Sequence, residues 1–361
     1  MRMVRVLAMA SSTIRPFSSM ASSPFAATFS AFNSSRRFNS FDFTRDEMQS
    51  KTFDYNKSCK LIRREGNVIS TITVSNMSQG STISSKESAL EWVKRDNRRM
   101  LHVVYHVGDI DRTIKFYREC LGMKLLRKRD NTEERYTNAF LGYGPEDSHF
   151  VIELTYNYGV DKYDIGSGFG HFGIAVDDLG RIVDLIKARG GTVTREPGPV
   201  KGGKTNIAFI DDPDGYKFEL IERGPTPEPL CRVMLRVGDL GRSIAFYEKA
   251  FGMELVRKRD SPEYKYTIAM MGYGPESKNC LLELTYNYGV LEYDKGNAYA
   301  QIAIGTDDVY KSADAVKVFG GKITREPGPL PDIDTKITAC LDPDGWKTVL
   351  VDNIDFLKEL Q

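Results

Sequence analysis

LHVVYHVGDIDRTIKFYRECLGMKL (residues 101–125) and GHFGIAVDDLGRIVDLIKARGGTV (170–193) follow one plan. Each reads as a β-type run, an Asp at the turn, an amphipathic helix, a glycine-terminated end and the start of another strand. Further short strands follow each stretch, ending in FVIELTY (150–156) and YKFELIE (216–222). The unit is therefore βαβββ, and it occurs twice before residue 224. The whole pair then repeats at a fixed offset of 130 residues. VGDI from Val107 returns as VGDL from Val237, and RKRD from Arg127 and GYGPE from Gly142 return at Arg257 and Gly272. LTYNYGV from Leu154, TREPGP from Thr194 and DPDG from Asp212 return at Leu284, Thr324 and Asp342. A period this long suits a duplicated domain rather than a solenoid. The reading is α+β, with two tandem domains built from four βαβββ modules.

The boundaries predicted are a leader at 1–55, a linker with a short N-terminal helix at 56–99, domain 1 at 100–224, a Pro-rich linker at 225–229, domain 2 at 230–354 and a tail at 355–361. Ser85 and its neighbours are placed to cap a helix running to about Arg98. A helix is expected over 109–119, and residues 353–360 read as a short terminal helix. DPDG is read as a tight turn feeding a strand, with no chemistry assigned to it.

Composition narrows the function. Of 361 residues 41% are apolar and 27% charged, and the net charge is +1, so nucleic acid is not expected as a partner. No apolar run approaches the roughly 20 residues of a membrane span, so no membrane is expected either. The five cysteines, Cys59, Cys120, Cys231, Cys280 and Cys340, are scattered and form no CxxC pair, which reads as buried thiols in a reducing compartment. The first 41 residues hold five Arg, ten Ser and no Asp, Glu or Lys. That composition is that of an organelle transit peptide, with chloroplast stroma as the address and mitochondrion as the alternative.

The chain has four histidines. His102 and His171 hold the same place in the first strands of two consecutive modules. Glu153 and Glu219 sit mid-strand in the two late apolar strands, where a carboxylate is costly to bury unless paired or metal-bound. Two His and two Glu from equivalent strands form a donor set for a divalent ion.

These residues, with VIELTYNYGVDKY (151–163), GFGHFGIAV (168–176), TREPGPVKGG (194–203) and DPDGYKFELIE (212–222), closely resemble glyoxalase I of the vicinal-oxygen-chelate superfamily. The resemblance covers about 100–354 and is nearest the duplicated plant form. It implies metal ligands at His102, Glu153, His171 and Glu219, with Glu219 at the place of the catalytic base. It also implies isomerisation of the hemithioacetal of methylglyoxal and glutathione to S-D-lactoylglutathione. The cofactor implied is one divalent ion per working site, with Ni²⁺ favoured and Zn²⁺, Co²⁺ and Mn²⁺ as alternatives, and with glutathione as co-substrate.

Shifted by 130, His102 becomes Arg232, Glu153 becomes Glu283, His171 becomes Gln301 and Glu219 becomes Val349. Two geometries stay open. An intradomain site would use His102, Glu153, His171 and Glu219. A crossed site, as in the family's dimers, would use His171, Glu219, Glu283 and position 232, leaving an opposite site without a base. The family commonly has Gln at position 232, and Arg232 has no lone pair for a metal.

Strand parity puts Arg236 on the face of Arg232, His106 on that of His102, Asn157 on that of Glu153 and Asn287 on that of Glu283. The resemblance gives Arg236 and the two Asn positions to the glutathionyl moiety. Lys201 and Lys204, in the KGGK loop, are candidates to close over a carboxylate, and His106 stands where the family has Arg. The fused domains are expected to act as a pseudo-dimer within a monomer. Two rival classes share the fold. An iron extradiol-type dioxygenase is disfavoured by the second carboxylate, and a metal-free binding module would not need His171 and Glu219 buried opposite each other.

Overall fold

The computed structural model describes residues 85–361 except 202 and 332, so the predicted leader, most of the first linker and Cys59 lie outside the described residues. Helix α1 (Lys86–Arg95) comes first, capped by Ser85, whose hydroxyl accepts from the Ser88 amide. It stops short of the expected Arg98. Asp96 ends it in an extended conformation, and Arg98 turns back to bond Asp96, Ser312 and the Ala250 carbonyl.

Four modules follow. The first holds β1 (Met100–His106), α2 (Ile110–Glu119), β2 (Lys124–Asn131), β3 (Tyr136–Gly142) and β4 (Val151–Asn157). The second holds β5 (Phe169–Val176), α3 (Leu179–Ala188), β6 (Thr192–Pro199), β7 (Asn206–Asp211) and β8 (Lys217–Glu222). The third holds β9 (Leu230–Arg236), α4 (Leu240–Phe251), β10 (Glu254–Ser261), β11 (Tyr266–Gly272) and β12 (Leu281–Asn287). The fourth holds β13 (Tyr299–Thr306), α5 (Val309–Val318), β14 (Lys322–Leu330), β15 (Ile333–Leu341) and β16 (Lys347–Asp352), and α6 (Asn353–Glu359) closes the chain.

The Asp at each turn starts the module's helix. Asp109, Asp178, Asp239 and Asp308 are all N-caps, and each carboxylate accepts the amide three residues on. Such a cap contributes about 0.5–2 kcal/mol. At the other end Gly252 takes a left-handed φ of 64° that lets α4 stop and the chain turn into β10.

Strand pairing does not follow sequence order. One eight-stranded sheet runs β14-β15-β16-β13-β1-β4-β3-β2 and the other β10-β11-β12-β9-β5-β8-β7-β6. The first module therefore shares a sheet with the fourth, through the antiparallel pair β1–β13, and the second with the third, through β5–β9. The first and second modules, and likewise the third and fourth, are joined differently, through the DPDG turns. Asp214 accepts the Gly108 amide at 2.8 Å, Thr113 Oγ1 at 2.6 Å and Arg112 at 2.9 Å, which ties the second module to the start of α2. Asp344 repeats the three bonds with Gly238, Ser243 and Arg242. Asp212 and Asp342 sit buried beneath these turns, accepting from Tyr117 and Tyr247. DPDG is thus a latch between modules as well as a turn, a role that its spacing did not reveal. Cys120, Cys231, Cys280 and Cys340 are free and buried, as expected.

Candidate functional site

The second sheet brings four side chains together from its four central strands. Glu283 comes from β12, Arg232 from β9, His171 from β5 and Glu219 from β8. All four are buried. His171 Nε2 stands 3.3 Å from Glu219 Oε2, and donor atoms of His171, Glu219 and Glu283 lie within 4.8 Å of one another. This face opens on a cavity of about 900 Å³. Arg195, Lys201, Lys217, Arg223, Arg232, Arg236, Arg257 and Arg259 line that cavity, against Glu219, Glu222 and Glu283. Apolar walls come from Phe169, Ile207, Phe209, Ile221, Met234 and Ile268. A cavity with so many cations around a buried acid–imidazole cluster suits an anionic small molecule.

His171, Glu219 and Glu283 fit a divalent ion. His171 Nε2 is buried and makes no hydrogen bond, although it faces a carboxylate, and two hard oxygen donors converge on it. The fourth position holds Arg232. Its Nη1 lies 2.9 Å from Glu219 Oε2 and 3.4 Å from Glu283 Oε2. Burial pushes the Glu219 carboxyl up, but the His171 ring and the charges of Arg232 and Arg223 outweigh it and hold the group at about 2. Glu219 is therefore ionised at neutral pH.

The intradomain site is not formed, because His102 and Glu153 belong to the other sheet. There His102 on β1 and Glu153 on β4 meet Gln301 on β13 and Val349 on β16, all fully buried. His102 Nε2 is 3.6 Å from Glu153 Oε2, and Asn138 donates to Glu153 Oε1 at 2.9 Å. Burial drives the His102 ring down to about 3 and the Glu153 carboxyl up to about 8. Both groups are thus held neutral near pH 7. Helix α6 seals this cluster, since Phe356 packs in one apolar group with Leu101, Phe140 and Val349, its ring 6.5 Å from that of His102. The equivalent residues of the second module, 223–229, are the Pro-rich linker, which leaves the Glu219 side open.

The expected substrate contacts divide the same way. Arg236, Asn287 and Lys201 line the cavity. Arg236 donates to the carbonyls of Ser167 and Phe169, and Asn287 to the Tyr293 hydroxyl. Three others do not line it. Lys204 is exposed, Asn157 donates to Tyr163 at 2.9 Å, and the His106 ring stacks on Tyr163 with Nδ1 2.9 Å from the Asn297 carbonyl. His106 and Asn157 follow their strands into the first sheet. Sequence reading did not single out Arg223, Glu276 or the cavity cations Arg195, Lys217 and Arg259. The repeats RKRD and GYGPE had flagged the stretches holding Arg257 and Glu276 without assigning those residues a task.

Comparison with known proteins agrees with this architecture. The sequence profile described as Glyoxalase/Bleomycin resistance protein/Dioxygenase superfamily matches twice, over residues 99–220 and 230–350. "Probable lactoylglutathione lyase, chloroplastic" of Arabidopsis thaliana is 71% identical over 99% of this chain and 100% of its own length. "Lactoylglutathione lyase" of Oryza sativa subsp. japonica is 69% identical over 79% of this chain and 100% of its own length. The crystal structure of glyoxalase I from Zea mays, 70% identical, superposes with a TM-score of 0.73 over 75% of this chain and 98% of that one. The chain belongs to the glyoxalase/bleomycin resistance protein/dioxygenase superfamily and, within it, to the lactoylglutathione lyases.

Proposed function

We propose that the His171–Glu219–Glu283 face carries lactoylglutathione lyase activity, converting the hemithioacetal of methylglyoxal and glutathione to S-D-lactoylglutathione. The observation that carries this reading is the convergence of one imidazole and two carboxylates at the floor of a cation-lined cavity. A divalent ion held by His171, Glu219 and Glu283 would supply Lewis-acid stabilisation of the substrate's two vicinal oxygens. Nickel is the ion proposed, on the short loops alone, since the second histidine, His102, lies in the other sheet. Arg236 and Lys201 bring positive charge to the glutathionyl carboxylates, and Asn287 offers an amide beside them. Glu219 removes the C1 proton, and a carboxylate returns one at C2, a general acid–base shift needing no nucleophile. The apolar wall of Phe209, Ile221 and Ile268 limits water around the reacting carbons.

Every contributing strand belongs to one chain, so the proposed working unit is a monomer whose modules stand where a dimer's subunits would. Sizing-column fractions assayed with methylglyoxal and glutathione test both points. Thioester should form at the mass of one chain, without oxygen uptake, and after chelation Ni²⁺ should restore more activity than Zn²⁺. Activity confined to a dimer peak would overturn the monomer, and oxygen consumption would overturn the lyase in favour of a dioxygenase.

We also propose a plastid address, supported by the acid-free Arg/Ser leader and by the name of the Arabidopsis relative. Residues 1–60 fused to a fluorescent reporter should carry it to chloroplast stroma. A cytosolic reporter would refute any organelle address, and a mitochondrial one the choice of plastid.

A further inference from the structure

Arg232 is placed with care. Its stem lies across β5 opposite Gly173, where a Cβ would stand 2.4 Å from Arg232 Cγ, so only bare backbone accepts it. One edge of its guanidinium faces inward, with Nη1 on Glu219 and Glu283. The other edge faces Glu276, which accepts from Nη2 at 2.5 Å and from Nε at 3.1 Å. Glu276 belongs to the second GYGPE motif, and comparison with the first shows what has changed. There Glu146 takes both of its bonds from Arg127, at 2.6 and 2.7 Å. Arg257, the counterpart of Arg127, is left 3.6 Å from Glu276, because Arg232 and Arg223 have taken its place.

We infer that Arg232 is a tethered internal cation that competes with the divalent ion for Glu219 and Glu283, and that Glu276 is the counter-charge on which it rests when the ion is bound. This rests on the reading of His171, Glu219 and Glu283 as metal donors. Two carboxylates side by side repel unless a cation lies between them, and the guanidinium supplies one unit of positive charge from within the chain. An incoming divalent ion meets the same two oxygens, so binding must break the Nη1 contacts. The Nε and Nη2 contacts with Glu276 are on the opposite edge and can persist. The chain therefore keeps its acid pair partly neutralised without metal, at the cost of weaker and more exchangeable metal binding. Arg232 is a positioning residue here, not a catalytic one.

The test is the Ni²⁺ dissociation constant of the chelator-stripped full chain, read by competition with a chromophoric chelator, with melting temperatures as a check on folding. Arg232→Leu removes the competing charge without adding a ligand oxygen, and should bind Ni²⁺ about 10-fold more tightly or better, the order expected for one unit charge at ion-pair distance. Glu276→Gln removes the resting place and should bind about 3-fold more weakly or worse. In the double variant the Glu276→Gln effect should fall well below its size in the parent, since no guanidinium is left to need it. If Arg232→Leu does not fold, Arg232→Met takes its place in the single and the double variant, because Glu276→Gln by itself also removes a negative charge near the ion. Equal affinity in wild type and variants overturns the competition while sparing the metal site. Failure of wild type and Arg232→Leu alike to bind Ni²⁺ overturns both.

Discussion

Glu219→Gln is expected to lower kcat by about 10²–10⁴-fold, the usual loss when a general base is removed. The side chain keeps its shape and can still bond the Arg232 guanidinium, which is 2.9 Å away in the parent. It can no longer take a proton. Its melting temperature should stay near the parent's, because Arg232 retains Glu283 and Glu276 as partners. Steady-state rates with the preformed hemithioacetal, beside a thermal melt, separate lost chemistry from lost fold. Val349 holds the equivalent place in the first sheet and has no ionisable atom, so the opposite cluster has no base at that place. Full activity in Glu219→Gln would overturn the assignment of the whole site.

Glu283→Gln and Glu153→Gln should part company, although the two carboxylates hold identical places in the repeat. Glu283 lies beside His171 and Glu219 in the open cavity. Its replacement is expected to cost at least about 10²-fold in kcat/KM, since losing one of the ion's two carboxylate donors should cost at least as much as losing an outer partner of a metal ligand, typically about 10–100-fold. Glu153 is sealed beneath α6 in the other sheet, and its amide variant should keep nearly the full rate. What Glu153→Gln changes is stability. In the folded chain its carboxyl titrates at about 8, against about 4.5 when unfolded, so the folded form holds a proton the unfolded form has lost. Raising pH through that window therefore favours unfolding. The variant should melt higher than the parent at pH 8 and at a similar temperature near pH 5. The reverse order of activities, with Glu153→Gln the crippled one, would put the chemistry in the first sheet.

These contrasts mark where sequence stopped. The period of 130 residues, the finer βαβββ repeat and the Asp caps of four helices were all legible, because each is a local pattern of residue types that dictates backbone conformation. The same pattern named Glu153 and Glu219 as carboxylates costly to bury without a partner and set His102 and His171 in equivalent strands, and the 130-residue offset brought in Glu283. It did not choose between Glu153 and Glu283, nor exclude His102. All four modules present the same open first strand, so hydrophobic periodicity fits either pairing equally well. Only the packed chain decides, through β1 against β13 and β5 against β9, strands far apart in sequence whose facing side chains must interlock. The closing of one cluster likewise depends on α6, seven residues whose helix could be read but whose docking site on Leu101, Phe140 and Val349 could not. Arg232 shows the limit most plainly. Its type alone says that it cannot ligate a metal, whereas its place between two carboxylates and a third, Glu276, follows from strand register and loop position. Residue chemistry is set by sequence one position at a time, but which charges share a buried space is set by long-range strand pairing.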